Sequence, residues 1–365
     1  MTEQTNQDRF AMDAHKLYWH LDRVGEWQKN KLIAPLYLEI SPVSYCNHQC
    51  IFCGLDFAHN ERLALDADTL MARIEEMGQL GVKSIMFAGE GEPLLHPRIA
   101  EIVAHTKNCG IDVAITTNGM LGNAELWKEL LPSLAWIRFS VDAATPERYA
   151  AVHGVATSCF ERTLSSLRDA VTVKRDHGLP VTIGVQFLMI QQNLMDIEAA
   201  LNLYSGIGVD YLSFKPYSEH PQMINKSGFS YSDEIIDSVE RAVQRFISSS
   251  TTQTAIIFRK AATEAYQKGV QTYNSCRALP FWGYISSKGD FYTCSVYLND
   301  ERFRVGNIYL ETMKDIFWGE KREKSICFAE CELEIGHECR VNCRMARINE
   351  FLAFINNQPN HVNFI

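Results

Sequence analysis

At 365 residues, 46% hydrophobic and 22% charged, the chain is long enough for one large domain with a smaller one, and its composition is that of a globular protein with a buried core. A formal net charge of −9 argues against a broad electrostatic footprint for nucleic acid or an anionic membrane. The N-terminus, Met1 to Arg9, lacks a signal-peptide hydrophobic core, and no apolar run approaches the ~18 residues of a membrane helix, so no membrane and a cytoplasmic location are expected.

Residues 1–33 carry polar segments rich in Trp and His, such as His15 to His20 and Arg23 to Trp27, and are expected to form a helical packing arm. From Pro35 the chain alternates strands and helices. Leu36 to Ile40 reads as a buried strand. A cysteine-bearing loop follows, and then a helix with Leu70, Ile74, Met77 and Leu80 on one face, capped by Asp66 or Asp68 and ended by Gly81. Further strands are expected at Ser84 to Ala88, Asp112 to Thr116, Trp136 to Val141, Val181 to Met189 and Tyr211 to Phe214. The helices between them carry Ile99, Ile102 and Val103, then Leu126 to Leu131, then Phe160, Leu164 and Leu167, then Ile197, Leu201 and Tyr204. Six βα units in a row imply a parallel sheet covered by helices, either an open doubly wound sheet or a partial barrel. The polar run Ser248 to Thr254 reads as a linker. The expected organisation is an arm at 1–33, an α/β domain at 34–247, a linker at 248–271 and a small cysteine-rich domain at 272–365.

Eleven cysteines in a chain expected to be cytosolic point to metal ligands over disulfides. Cys46, Cys50 and Cys53 have the spacing C-x3-C-x2-C. Three thiolates are too few to close a tetrahedral zinc site, unless His48 or His59 completes it, but enough to hold a four-iron cluster at three corners. Polar groups gather at the ends of the later strands. Gly89-Glu90-Gly91-Glu92-Pro93 follows the second, with glycines that admit a close ligand and carboxylates that can accept from an ammonium group. Asn118 follows the third, Ser140 and Asp142 share one face at the end of the fourth, and Gln186 interrupts the apolar fifth. Cys109 and Cys159, standing alone, read as small buried hydrophobes.

With Phe52 directly before Cys53, the cysteine loop resembles the signature of the radical S-adenosylmethionine (SAM) enzymes. The resemblance implies a partial (β/α)6 TIM-type barrel with its site at the C-terminal ends of the strands. It also implies a [4Fe-4S] cluster on Cys46, Cys50 and Cys53 whose open iron binds SAM, and reductive cleavage of SAM to a 5'-deoxyadenosyl radical. Gly89 to Glu92 resembles the family's G-G-E-P motif, with Glu90 in place of a glycine. That likeness implies SAM contacts from Gly89, Glu90, Gly91 and Glu92, and by position from Asn118, Ser140, Asp142 and Gln186. The segment from Cys276 through Cys294 resembles the auxiliary-cluster domains called SPASM and, when shortened, twitch. One auxiliary [4Fe-4S] cluster is implied on Cys276, Cys294, Cys339 and Cys343, with Cys331 as substitute ligand, Cys327 unligated, and four-cysteine zinc as the alternative.

The implied reaction is hydrogen abstraction from a small molecule (a sugar, cyclitol or nucleotide-linked sugar) giving oxidation or epimerisation, with flavodoxin or ferredoxin as electron donor. The lack of an N-terminal peptide-recognition domain favours the small molecule. A peptide-modifying enzyme and an iron-sulfur or zinc module without turnover are the alternatives. Cys159, Cys327 and Cys331 are candidate hydrogen donors. Lys215 and Glu219, with Tyr217 and His220, are candidates to line the substrate pocket, unless Lys215 pairs with a rim carboxylate and the others are solvated.

Overall fold

The computed structural model describes residue 10 and residues 15–58 and 61–364. Its frame is one ten-stranded sheet with the order β10-β9-β8-β1-β2-β3-β4-β5-β6-β7. The strands are β1 (Tyr37–Ile40), β2 (Ser84–Phe87), β3 (Asp112–Thr117), β4 (Trp136–Ser140), β5 (Thr182–Met189), β6 (Tyr211–Pro216), β7 (Ala255–Phe258), β8 (Trp282–Ile285), β9 (Asp290–Tyr292) and β10 (Arg304–Asn307). Strands β1 to β7 pair in parallel with their neighbours in chain order. The wall stays open, with β7 and β10 at its ends.

Side chains alternate across the wall because successive residues of a strand point to opposite faces. On β4, Ile137 and Phe139 are fully buried against the helical layer, whereas Trp136, Arg138 and Ser140 are only partly buried. Met86, Ala88 and Ala114 gather with Tyr37 and Trp136 in a separate small cluster, which marks the concave face. The helices carry the expected stripes. In the helix Ala67–Gln79, Leu70, Ile74 and Met77 are fully buried, and Asp66 caps its start by accepting from the Thr69 amide at 2.8 Å. No helix among the described residues is long and apolar enough to cross a membrane.

Two expectations need correction. The stretch 248–271 is not a linker throughout: Ala255–Phe258 forms β7 beside β6, and Lys260–Lys268 forms a helix. Four apolar residues behind a polar run give too short a pattern for periodicity to read. The cysteine-rich C-terminal part, expected as a separate small domain, extends the same sheet. Strand β8 pairs in parallel with β1, and β9 and β10 follow antiparallel, with Gly289 at φ +81° in the β8–β9 turn. The edge of β1, otherwise unpaired, is thereby covered.

The N-terminal arm, of which residues 1–9 and 11–14 lie outside the described residues, contains the helix Leu21–Asn30. His15 and Tyr18 pack on Phe351 of the helix Ala346–Asn356, with ring centroids 4.5 and 4.6 Å apart. Arg322 joins these parts from inside. It is fully buried and donates to the carbonyls of Ile33 (2.8 Å), Phe317 (2.6 Å) and Pro280 (2.9 Å). Arg322→Ala leaves three buried acceptors without donors, and we expect a loss of about 3 kcal/mol or more, read as a lower urea midpoint. An unchanged midpoint would show that the arm and the C-terminal segment do not depend on it.

Candidate functional site

The loop after β1 holds Cys46, Cys50 and Cys53, none in a disulfide. It docks on the end of the helix Pro146–His153 through Gln49 N–H to His153 O (2.9 Å) and Ile51 N–H to Val152 O (3.0 Å). N–H groups surround the sulfurs. The His48 amide lies 3.4 Å and the Asn118 side-chain amide 3.8 Å from Cys46 Sγ, and His153 Nδ1 lies 3.1 Å from Cys50 Sγ. Burial pushes the Cys46 thiol up to about 12, with Glu92 and Cys53 adding to the shift. Burial, then the charges of Cys53 and Cys46, holds Cys50 well above the ordinary range, and burial also raises Cys53. Three half-buried thiols within each other's field ionise together most readily against a cation, which is the condition a metal cluster provides.

His153, which the sequence reading missed, is fixed in one tautomer. Its Nε2 accepts the backbone N–H of Asp142 at 3.2 Å, so the ring proton sits on Nδ1 and points at Cys50 Sγ. Burial, with the neighbouring His48 second, holds its pKa well below the usual histidine value, so the ring is neutral. The only sequence trace of this residue is its place at the end of a helix ahead of Gly154, far from the cysteines. His48, considered as a fourth zinc ligand, has Nε2 2.9 Å from the Tyr149 hydroxyl, which in turn meets Thr163. His59 lies outside the described residues.

At the strand ends the expected residues separate into two groups. Glu92 faces the cysteine side: it accepts from the Thr117 hydroxyl, the Asn118 amide (2.8 Å) and the Leu94 amide (3.1 Å). Burial raises its pKa to about 6 against these donors. Gly91 is required for close approach, because a Cβ there would stand 2.3 Å from the Tyr45 carbonyl. Asn118 bridges to Asn47 Oδ1 at 2.7 Å, and Phe52 meets the His153 ring edge-on at 5.5 Å. Ser140 and Gln186 are register partners across β4 and β5. Glu90 turns away: it accepts from the Ser287 hydroxyl and amide and from the Tyr284 hydroxyl (3.4 Å), so it holds the β8–β9 turn. Gly89 sits at φ +125° with Tyr284 and Ser41 against it.

Asp142 is almost fully buried; its Oδ1 accepts from the Leu188 amide, and its Oδ2 has no hydrogen-bond partner among the described residues. Burial raises its pKa to about 7, opposed by the Leu188 amide and the charge of Lys215. A carboxyl whose folded pKa is raised binds more protons folded than unfolded, so its contribution falls as pH rises between its unfolded value of 3.8 and about 7. His153, with a depressed pKa, has the opposite slope below 6.5. The difference between parent and Asp142→Asn isolates the carboxyl. We expect the unfolding free energies of the metal-free proteins, from urea titrations, to move in favour of the variant from pH 4 to pH 7, by up to about 4 kcal/mol. Parallel pH profiles would count against the assignment.

A second set of thiols lies at the sheet's other end. Cys276, Cys294, Cys339 and Cys343 line one small cavity with Tyr273, Trp282 and Phe303. Burial, then neighbouring thiols, raises Cys276 to about 11 and Cys339 to about 12, and holds Cys294 well above the ordinary range. The Asn349 side-chain amide reaches Cys276 Sγ (3.5 Å) and the Met345 amide Cys343 Sγ (3.4 Å). Among the described residues no group of three or more His, Cys, Asp or Glu stands at single-ion distances. Cys327 and Cys331 are exposed on the helix Glu320–Cys331, outside this cavity.

Beside the C-terminal thiols, a cavity of about 660 Å³ is lined by Lys215, Ser218, Arg259, Arg340, Cys343 and Arg344, among others. Lys215 lies at the C-terminal end of β6 and pairs with no carboxylate among the described residues, contrary to the expected rim pair. Glu219 accepts from the Gly228 amide (2.7 Å), Tyr217 is buried with its hydroxyl on Met223, and His220 stacks on Phe57 and meets Ser295 O (3.1 Å), so these three hold the loop after β6. Cys159 opens the helix Ser158–Asp176 in the outer layer and lines none of the cavities described.

The family model of the Radical SAM superfamily matches residues 40–204. A probable GTP 3',8-cyclase of Saccharolobus islandicus strain M.14.25 is 27% identical over 199 residues, 54% of this chain and 61% of the relative. That of Sulfurisphaera tokodaii is 23% identical over 208 residues, 57% of this chain and 63% of the relative. The chain thus spans about three fifths of the length of these curated relatives. Among solved structures, Streptococcus suis SuiB bound to S-adenosylmethionine matches with TM-score 0.64 at 20% identity, over 83% of this chain and 70% of that chain. Native anSMEcpe with bound AdoMet matches with TM-score 0.60 at 18% identity, over 87% and 89%. The likeness to both is one of fold.

Proposed function

We infer that this chain, whose residues 40–204 form a Radical SAM superfamily domain, is a radical SAM enzyme that oxidises a small molecule such as a sugar, cyclitol or nucleotide-linked sugar. When bound, the [4Fe-4S] cluster and SAM supply a 5'-deoxyadenosyl radical by reductive cleavage, and an auxiliary cluster supplies an electron acceptor. Cys46, Cys50 and Cys53 would hold the first cluster, fed by a donor such as flavodoxin or ferredoxin. Phe52, Gly91, Glu92, Asn118, Ser140, Asp142 and Gln186 would position SAM. Cys276, Cys294, Cys339 and Cys343 would hold the auxiliary cluster. The residues present suit these groups: each thiol set is largely half-buried, lies within its members' mutual field and is met by N–H donors, and Asp142 carries an oxygen without a hydrogen-bond partner among the described residues.

One observation carries the choice of oxidation. Cys343 lines both the four-thiol cavity and the 660 Å³ cavity, whose volume lies in the range of small-ligand sites. A substrate alcohol that loses a hydrogen atom from carbon must then lose one electron and the hydroxyl proton to leave as a carbonyl compound. One thiol shared between the two cavities, Cys343, places the candidate auxiliary site next to the substrate and suits that loss. Epimerisation needs a thiol hydrogen donor instead, and Cys159, Cys327 and Cys331 lie apart from the cavity lining.

A second reading, peptide modification, is favoured by the fold shared with SuiB and anSMEcpe, which were solved with precursor peptide SuiA and with Cp18Cys peptide. Extract from cells grown in deuterated medium separates the two. Incubated with reconstituted enzyme and unlabelled SAM, it should yield 5'-deoxyadenosine one mass unit heavier, and protease treatment of the extract should leave that label intact. Loss of the label on protease treatment would establish the peptide reading.

A further inference from the structure

The 660 Å³ cavity has a charge pattern at odds with the rest of the molecule. Six cationic side chains, Lys215, Arg259, Lys268, Arg340, Arg344 and Arg347, line it against two carboxylates, Glu264 and Glu350, in a chain of net charge −9. Among the described residues Arg347 reaches Glu350 at 2.9 Å, and Arg344 pairs with Glu39 of β1. Lys215 and Arg340 have none among the described residues. Arg340 is held in place, its Nε donating to Ser218 Oγ at 2.8 Å and its Nη2 to Ser218 O, so its guanidinium is presented rigidly. Burial, then the charges of Arg138, Arg259, Arg340 and Arg344, holds the Lys215 ammonium well below the ordinary lysine range. Like charges gathered this way oppose one another unless an anion sits among them. Asp142 is within the electrostatic reach of Lys215 but does not contact it.

We propose that this cavity is a phosphate subsite, and that the substrate carries a phosphate or diphosphate ester bound by Lys215 and Arg340 with Lys268 at the outer edge. The proposal rests on the small-molecule reading above and narrows it to phosphorylated compounds, of which a nucleotide-linked sugar is one. Arginine and lysine together suit that group, the planar fork matching phosphate oxygens and the ammonium acting as a point charge. The site is on the same cavity wall as Cys343, so a substrate anchored here is held beside the auxiliary thiols.

The test is a calorimetric titration of the reconstituted holoenzyme with inorganic pyrophosphate, run beside an assay of 5'-deoxyadenosine formation on the same preparation. Saturable binding is expected, weakened at least about tenfold by Lys215→Met and less by Lys268→Gln, and weakened by added salt. Arg175→Gln, on an exposed helix end, should bind like the parent. Should Lys215→Met fail to fold, as read by circular dichroism, the exposed Lys268→Gln decides. Absence of saturable binding, or parental affinity in both Lys215→Met and Lys268→Gln, overturns the phosphate subsite. A preparation that forms 5'-deoxyadenosine but ignores pyrophosphate fails this proposal alone, whereas one that forms none fails the enzyme reading. Phosphatase treatment of the deuterated extract should abolish label transfer; persistence of the label also overturns the proposal.

Discussion

Cys50→Ala should bring 5'-deoxyadenosine formation down to the level of a protein-free control. Cys50 is the middle thiol of the loop, held well above the ordinary range by burial and by both neighbouring sulfurs, and it receives the His153 Nδ1–H at 3.1 Å. A cluster held at three corners has no spare protein ligand, so removing one leaves two thiols and a vacancy beside the position reserved for SAM. Iron should fall from about eight to about four per chain if the C-terminal thiols hold their own cluster. Cys327→Ala, at an exposed thiol outside both sets, serves as the control and should keep the parent's iron and turnover. Unchanged SAM cleavage in Cys50→Ala would remove the loop from the chemistry.

The second large effect is expected from His153, a positioning residue that acts through Cys50. His153→Ala deletes the N–H···S hydrogen bond and leaves the buried Asp142 amide without its acceptor. Loss of an outer-shell donor to a metal ligand costs about 10- to 100-fold in cluster retention or activity. Because an N–H donor to sulfur favours the reduced, more negative cluster, its removal should also lower the reduction potential, measured by EPR-monitored titration with SAM absent. His153→Asn, whose amide can reach the Nδ1 position, should restore part of the potential shift without restoring the acceptor for Asp142. A purely structural role predicts instead that Ala and Asn variants lose stability while any cluster retained keeps the parent potential.

How much was legible in advance follows from the range of each signal. Cys46, Cys50 and Cys53 were readable because their spacing is local and they ride on one loop. The six-unit alternation was readable because each strand and helix carries its own period. The four C-terminal thiols, expected to act as one set, line one cavity although they come from three different segments. Glu90 was expected to contact SAM along with Gly91 and Glu92 because all three lie in one local motif; the tertiary contact that turns its carboxylate to Ser287 of the β8–β9 turn has no local signal. His153 left no trace beyond its place at a helix end, since its part rests on a hydrogen bond to Cys50, far along the chain. The pairing of β8 with β1 was equally hidden, because nothing in either strand's sequence names its partner. Lys215 was recognised as a rim residue, but its surroundings of guanidinium groups come from β4, the end of β7 and the C-terminal segment, which only the fold brings together.

The most direct measurement of the central claim is the yield of 5'-deoxyadenosine from SAM by anaerobically reconstituted, reduced protein. Time-dependent formation above the protein-free control is the predicted result. Protein that carries about eight irons per chain and still forms none would contradict the account.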